Sequence, residues 1–450
     1  MLRVVQKPQR LCQLGRLVRM PALQTAVLGN AKAVPAGSQR PAIPLQARAA
    51  IVRAFGTSAH LEAPQRHSAV VSSDTKSQVT VAYPDGKSTS FHGIWLRDHC
   101  RCPQCFHPIT KQRLSDTGEF PLDIKPQSIE IVGDKDLRIV WPSTQHESVF
   151  SLEWLRQHSY WPNIGTARPA IREKILWNAE TANTFPRVSY ESIMAGDQGL
   201  AEWLRNIDVY GIGFVEGVPP NAEDTETLAK RIGIIRETHY GGFWDFTSDL
   251  SHGDTAYTTI GLPAHTDTTY FTDPIGLQTF HLLAHEGTGG ESIYVDSFYA
   301  AKLLKEQHPE HYETLSTVPV RTHCAGDEDE LHFSTPSHRP IFGLDPITDE
   351  LIQVRFNEPD RSILNHIPGD KVYKFYEALA VWRSILTHPE SEFKIALRPG
   401  TVVAVDNWRV LHGRTAFTGY RRLVGCYHGW DELQSRIRVV LDKSQLKETV

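Results

Sequence analysis

Asp406-Asn407-Trp408-Arg409-Val410-Leu411-His412-Gly413-Arg414, read together with His265-Thr266-Asp267, decides the fold of this 450-residue chain. Two imidazoles and one carboxylate can hold one face of an octahedral iron(II) ion and leave the opposite face open, as in non-haem iron oxygenases. His265 and Asp267 are two residues apart, and side chains alternate along a strand, so both project to one side at a strand end. His412 then has to arrive on another strand of the same barrel. Arg421, nine residues beyond His412, offers a guanidinium fork suited to a carboxylate. H-x-D recurs by chance among 21 histidines, so the context matters. Thr255-Ala256-Tyr257-Thr258-Thr259-Ile260 reads as a strand before His265, and Thr401-Val402-Val403-Ala404-Val405-Asp406 as a strand before His412. Arg421-Arg422-Leu423-Val424-Gly425-Cys426-Tyr427 reads as a third.

Around these runs the pattern is of many strands and few helices. Helical spacing is expected over 199–210, 222–235 and 370–388. Strands are expected over 211–215, 277–284, 292–295, 352–356, 393–397 and 401–405. The fold class is therefore mainly β with flanking helices, a jelly-roll or cupin-like catalytic core over 185–445. A smaller β domain is expected at 65–160. There Val79-Thr80-Val81-Ala82-Tyr83 and the extended run from Ser88 to Trp95 flank the turn Pro84-Asp85-Gly86. A second hairpin joins 128–132 to 137–141, and 172–183 reads as a linker between the domains.

Residues 1–61 carry nine Lys or Arg and no acid, the first acid being Glu62. A basic, acid-free leader with Ser, Ala and Pro reads as a mitochondrial transit peptide, with Arg53-Ala54-Phe55 near the processing point. Nine of the 47 basic residues lie in that leader and all 52 acids beyond it, which leaves residues 62–450 with a formal charge of −14. Such an acidic body repels a phosphate backbone, so nucleic acid is not an expected partner. No apolar run reaches the roughly 18 residues of a membrane span.

Cys100, Cys102 and Cys105 form a C-x-C-x2-C cluster. Zinc in a structural site takes four N or S ligands, so one histidine is needed. His99 and His107 are cramped; His146, at the end of the second hairpin, is the expected fourth ligand. The remaining cysteines do not form a secreted disulfide framework.

Several further runs resemble one family. They are Trp95-Leu96-Arg97-Asp98-His99-Cys100, Ile175-Leu176-Trp177-Asn178-Ala179-Glu180, Gly253-Asp254-Thr255-Ala256-Tyr257-Thr258, His265-Thr266-Asp267-Thr268-Thr269-Tyr270-Phe271, His285-Glu286-Gly287-Thr288-Gly289-Gly290 and the run from Asp406 to Tyr427. The chain resembles the trimethyllysine and γ-butyrobetaine dioxygenases of carnitine biosynthesis. The resemblance implies a double-stranded β-helix core and a zinc-bearing N-terminal domain. It also implies dependence on iron(II), 2-oxoglutarate and ascorbate, and a homodimer. His265, Asp267 and His412 would be the iron ligands, and Arg421 would bind the distal carboxylate of 2-oxoglutarate.

Tyr240, Trp244 and Tyr257 match family positions that line a trimethylammonium pocket. A quaternary ammonium donates no hydrogen bond, and aromatic faces hold it at roughly 0.5–2 kcal/mol per contact. Asp254, three residues before Tyr257, is placed to pair with the α-ammonium of trimethyllysine and to repel the carboxylate of γ-butyrobetaine. The expected reaction is C3 hydroxylation of N6,N6,N6-trimethyllysine in the mitochondrial matrix. The alternatives are γ-butyrobetaine hydroxylation, hydroxylation of a protein-bound methylated lysine, and a non-catalytic metal-binding scaffold.

Overall fold

Every residue of the strand Thr401–Asp406 is buried, because both of its faces are covered. Val403 and Val405 point into the barrel, and Val402 and Ala404 pack against the outer helices. The strand lies in a six-stranded sheet of order Arg187–Ser189, Ile212–Glu216, Thr401–Asp406, Leu277–Glu286, Tyr420–His428, Phe243–Phe246. A four-stranded sheet, Leu262–His265, Val410–Arg414, Ser292–Asp296, Phe393–Ile395, forms the other wall. Together they make the cupin-like core. The helices Asp197–Tyr210 and Trp430–Leu441 cover the large sheet, and Ser297–Gln307, Pro309–Thr317 and Gly369–Leu386 gather around a second apolar cluster. This computed structural model describes residues 70–73, 77–142, 145–165, 172–247, 255–326, 331–335 and 338–443. The expected leader at 1–61 and Asp254 lie outside the described residues.

Residues 70–165 carry two three-stranded antiparallel sheets and an apolar cluster of their own, built on Val79, Val81, Phe91, Leu137, Ile139, Trp141 and Phe150. The first hairpin pairs Gln78–Ala82 with Ser88–His92. It ends earlier than its sequence suggests, because Gly93 starts the short helix Gly93–Asp98. A side chain at Gly93 would meet the Ile124 carbonyl at 2.2 Å.

Two other expectations change. Thr255–Tyr257 is a 3-10 turn rather than a strand. The physical reason is Arg414, whose guanidinium donates to the carbonyls of Ala256 (2.9 Å) and Thr258 and coils the segment around itself. The strand that delivers His265 is the shorter Leu262–His265. The second is the linker 172–183, which is stitched into the core. Arg409, 1% exposed, donates to Asp296 Oδ1 (3.1 Å) and Oδ2 (2.8 Å) and to the carbonyls of Val209 (2.8 Å) and Ile175 (2.6 Å). Asp296 in turn accepts the Trp177 N–H at 3.1 Å. One buried ion pair thus ties that segment to a helix end and to the strand bearing His412.

Breaking such a pair strands an uncompensated charge in the core. Arg409→Ala is expected to lower unfolding free energy by about 3–5 kcal/mol in denaturant titration. A loss below about 1 kcal/mol, within the range of an exposed pair, would contradict the role assigned to it.

Candidate active site

The strands Leu262–His265 and Val410–Arg414 run antiparallel, with His265 directly opposite His412. Their rings lie 4.7 Å apart between centroids. Asp267 sits just past the strand end and reaches both: Oδ1 is 3.1 Å from His265 Nε2, and Oδ2 is 3.6 Å from His412 Nε2. One ligand atom from each side chain falls within 4.8 Å of the others, close enough to share an ion. His265 Nδ1 lies 2.8 Å from the Pro263 carbonyl, which places the ring proton there and leaves the Nε2 lone pair facing Asp267. Burial would raise the Asp267 carboxyl, but the His412 and His265 rings beside it hold it well below the ordinary range. Burial also lowers the basicity of His412. Burial acts the same way on His265, but the Asp267 carboxylate beside it outweighs this and raises its basicity. The set therefore offers one anion and two imidazole lone pairs, the donor chemistry of iron(II), once the rings have shed their protons.

Two residues that the motif alone does not flag fix Asp267. Asn407 Oδ1 accepts its backbone N–H at 2.8 Å, while Asn407 Nδ2 donates to its carbonyl at 3.0 Å and to that of Ile275 at 3.1 Å. Tyr427 donates its hydroxyl to Asp267 Oδ2 at 2.9 Å. Strand alternation held the signal for Tyr427, since residues 421, 423, 425 and 427 share one face.

Both sheets open onto a cavity of about 190 Å³ lined by His265, Asp267, His412 and Arg421. One water needs roughly 10–15 Å³ on this scale, so this is a ligand chamber rather than a packing defect. Arg421 is 6% exposed and forms no ion pair with an acid among the described residues. Burial weakens its hold on its proton. A desolvated guanidinium facing an open chamber calls for an anionic ligand.

Tyr240, Trp244 and Tyr257 line the same chamber, with Trp244 and Tyr257 buried. Phe246 bridges the last two, its ring 5.1 Å from each. Tyr427 adds a face 5.8 Å from Trp244 and 6.4 Å from Tyr240. Trp244 lies across the neighbouring strand because residue 425 is glycine; a Cβ there would meet the indole at 2.3 Å. Phe246, Tyr270 and Tyr427 were not singled out from sequence.

Away from the chamber, His146 Nε2 stands 3.3, 3.6 and 3.5 Å from the Sγ atoms of Cys100, Cys102 and Cys105. All four ligand atoms lie within 4.8 Å of one another. His99 and His107 turn elsewhere, His99 Nδ1 to the Trp95 carbonyl (2.8 Å) and His107 Nδ1 to the N–H groups of Ile109 and Thr110. Burial pushes the Cys100 thiol up to about 12. Such a cluster suits a tetrahedral Cys3His zinc site.

Residues 170–427 match the model of the taurine catabolism dioxygenase TauD, TfdA family, and residues 70–156 match that of the γ-butyrobetaine hydroxylase-like N-terminal region. The chain is 44% identical to human mitochondrial trimethyllysine dioxygenase over 78% of its own length and 82% of that protein's. Identity is 40% to the trimethyllysine dioxygenase of Meyerozyma guilliermondii, over 83% of this chain and 96% of that one. Human γ-butyrobetaine dioxygenase is 29% identical over 80% and 93%.

Tyr427→Phe keeps the ring and removes one hydrogen bond from Asp267. Anaerobic equilibrium dialysis is expected to show iron(II) affinity weakened about tenfold. Affinity equal to wild type would mean that the hydroxyl does not tune this carboxylate.

Proposed function

We propose that this chain, which belongs to the trimethyllysine dioxygenases of the TauD/TfdA family, hydroxylates free N6,N6,N6-trimethyllysine at C3, the first step of carnitine biosynthesis. The observation that carries the reading is the single chamber in which His265, Asp267 and His412, an arginine without an acid partner among the described residues and a set of aromatic faces converge. His265, Asp267 and His412 hold iron(II). Bound iron supplies activation of dioxygen, coupled to oxidative decarboxylation of 2-oxoglutarate to succinate and CO2. Ascorbate serves to keep the iron reduced.

The chain's own groups bind and orient. Arg421 takes the distal carboxylate of 2-oxoglutarate as a charge-assisted pair in a nearly dry setting. Tyr240, Trp244 and Tyr257 hold the trimethylammonium group on aromatic faces, which suit a cation that offers no N–H to an acceptor. Asp254 pairs with the α-ammonium; its place three residues before Tyr257 supports this. Tyr427 and Asn407 hold Asp267 in register with the two rings. With both substrate ends fixed, the target carbon is positioned and water is excluded, which is where the protein contributes most to rate.

Residues 65–160 form a structural zinc domain on Cys100, Cys102, Cys105 and His146, residues 185–445 form the catalytic domain, and the leader directs the chain to the mitochondrial matrix. The names of the vertebrate relatives and the basic leader support that location. The resemblance to this family supports a homodimer. Among the described residues no helix is long and apolar enough to cross a membrane.

Incubating the enzyme with iron(II), 2-oxoglutarate, ascorbate and either trimethyllysine or γ-butyrobetaine tests the substrate. Product masses are expected to show a preference of about 100-fold or more for trimethyllysine in kcat/KM, of the kind a polar headgroup site can give. In the same assay Arg421→Ala is expected to raise the 2-oxoglutarate KM about 30-fold or more, the cost of removing one partner of a buried charge pair. Preference for γ-butyrobetaine would overturn the substrate assignment. Elemental analysis is expected to find one zinc per chain beside the iron, and Cys105→Ser to lose it along with the folding of residues 70–165. A zinc-free chain with that region intact would remove the zinc from the account.

A further inference from the structure

Three guanidinium groups line the chamber among the described residues: Arg383, Arg414 and Arg421. Arg414 is committed to backbone carbonyls of the 255–260 segment. Arg421 lies deep, and the proposed function gives it to the keto acid. Arg383 stands at the mouth, with its side chain 52% exposed, and Nη1 is 3.1 Å from Glu358 Oε2. Both partners line the same chamber as the metal ligands. A pair this exposed adds only roughly 0–1 kcal/mol to stability, so folding does not account for it.

Both charges are carried by rigid parts. Phe356 is laced to the iron motif, its N–H donating to Thr266 Oγ1 (2.9 Å) and its carbonyl accepting the Thr266 N–H (2.8 Å). Glu358, two residues on, lines the same chamber as His265 and Asp267. Arg383 belongs to the helix Gly369–Leu386, anchored by buried Phe375, Leu379, Trp382 and Leu386. Trp382 sets its ring against Phe356, 6.2 Å between centroids, and so holds the helix end over that segment.

We infer that Glu358 and Arg383 form part of the subsite for the zwitterionic end of the substrate, Glu358 sharing the α-ammonium with Asp254 and Arg383 taking the α-carboxylate. This rests on the trimethyllysine reading above. An ion pair is the complement of a zwitterion. On docking, one internal pair opens and two intermolecular pairs replace it, so no charge is left alone at any stage. The aromatic faces cannot supply this, because they recognise only the quaternary end. Arg383 also answers a need that Asp254 leaves open, a cation for the α-carboxylate. γ-Butyrobetaine lacks the α-ammonium, so its carboxylate could take Arg383 only by leaving Glu358 without that partner, and the pair thereby selects against that ligand.

Anaerobic calorimetry on the iron- and 2-oxoglutarate-loaded enzyme tests this with trimethyllysine, its α-N-acetyl derivative, its α-carboxamide and γ-butyrobetaine. For wild type, acetylation and amidation are each expected to weaken binding about tenfold, the scale of one charge-assisted hydrogen bond. Arg383→Gln is expected to weaken trimethyllysine about tenfold while leaving the carboxamide at its wild-type Kd. Glu358→Gln does the same for trimethyllysine and spares the N-acetyl derivative. In turnover the trimethyllysine KM rises and the 2-oxoglutarate KM does not follow. Variants that bind trimethyllysine as wild type does, or that lose all four ligands equally, overturn the subsite. The wild-type series decides the matter even if a variant misfolds, because indifference to both chemical changes also overturns it. Wild-type turnover of trimethyllysine with indifferent variants sinks the subsite alone; wild-type turnover of γ-butyrobetaine but not trimethyllysine sinks the substrate reading and the subsite with it.

Discussion

His265 and His412 face each other across two antiparallel strands, and that register places the third group. Slipping it by one residue would turn one imidazole to the far side of the sheet. The pairing is secured beyond its own ladder. Asn407, five residues before His412, bonds both backbone groups of Asp267 with one amide, so the carboxylate and the second histidine are fixed by the same loop. Arg409, in that same run, fastens the loop to Asp296 on the next strand. The ligand geometry is therefore a consequence of how the run from Asp406 to Arg414 is pinned, and the core strands around it hold that run still.

The chamber also sets two structural cations beside a third that the proposed function gives to a ligand. Arg409 and Arg414 are as buried as Arg421, but the first has Asp296 and two carbonyls and the second has the carbonyls of its coiled segment. Arg421 has an aromatic ring, Phe417, at 5.6 Å and no acid among the described residues. A desolvated charge left in that condition costs stability unless something arrives to pair with it. In the proposed function the aromatic wall obeys the opposite rule, since it would present faces to a cation that cannot use hydrogen-bond partners.

The candidate groups His265, Asp267 and His412 and Cys100, Cys102, Cys105 and His146 were legible as a short motif with strict chemistry plus one distant histidine, and the structure brings each set together. Strand existence was legible for the same reason: alternation and β-branched runs such as Thr401–Asp406 read the same in isolation as in the fold. What escaped depends on distant partners. Thr255–Tyr257 has strand composition but coils because Arg414, far along the chain, collects its carbonyls. The 172–183 segment looks like a linker until Arg409 and Asp296 claim it. Tyr427 could have been found by counting along the strand from Arg421, whereas Glu358 and Arg383 sit in a loop and on a helix with no motif to mark them, and only the folded chain joins them, through their ion pair and the shared cavity.

Anomalous diffraction at the iron edge, from anaerobic crystals loaded with iron(II), tests the shared metal site most directly. The expected result is one strong peak within bonding distance of His265 Nε2, Asp267 and His412 Nε2, on the chamber side. A peak elsewhere, or a peak touching only one or two of those groups while the third turns away, would contradict the account.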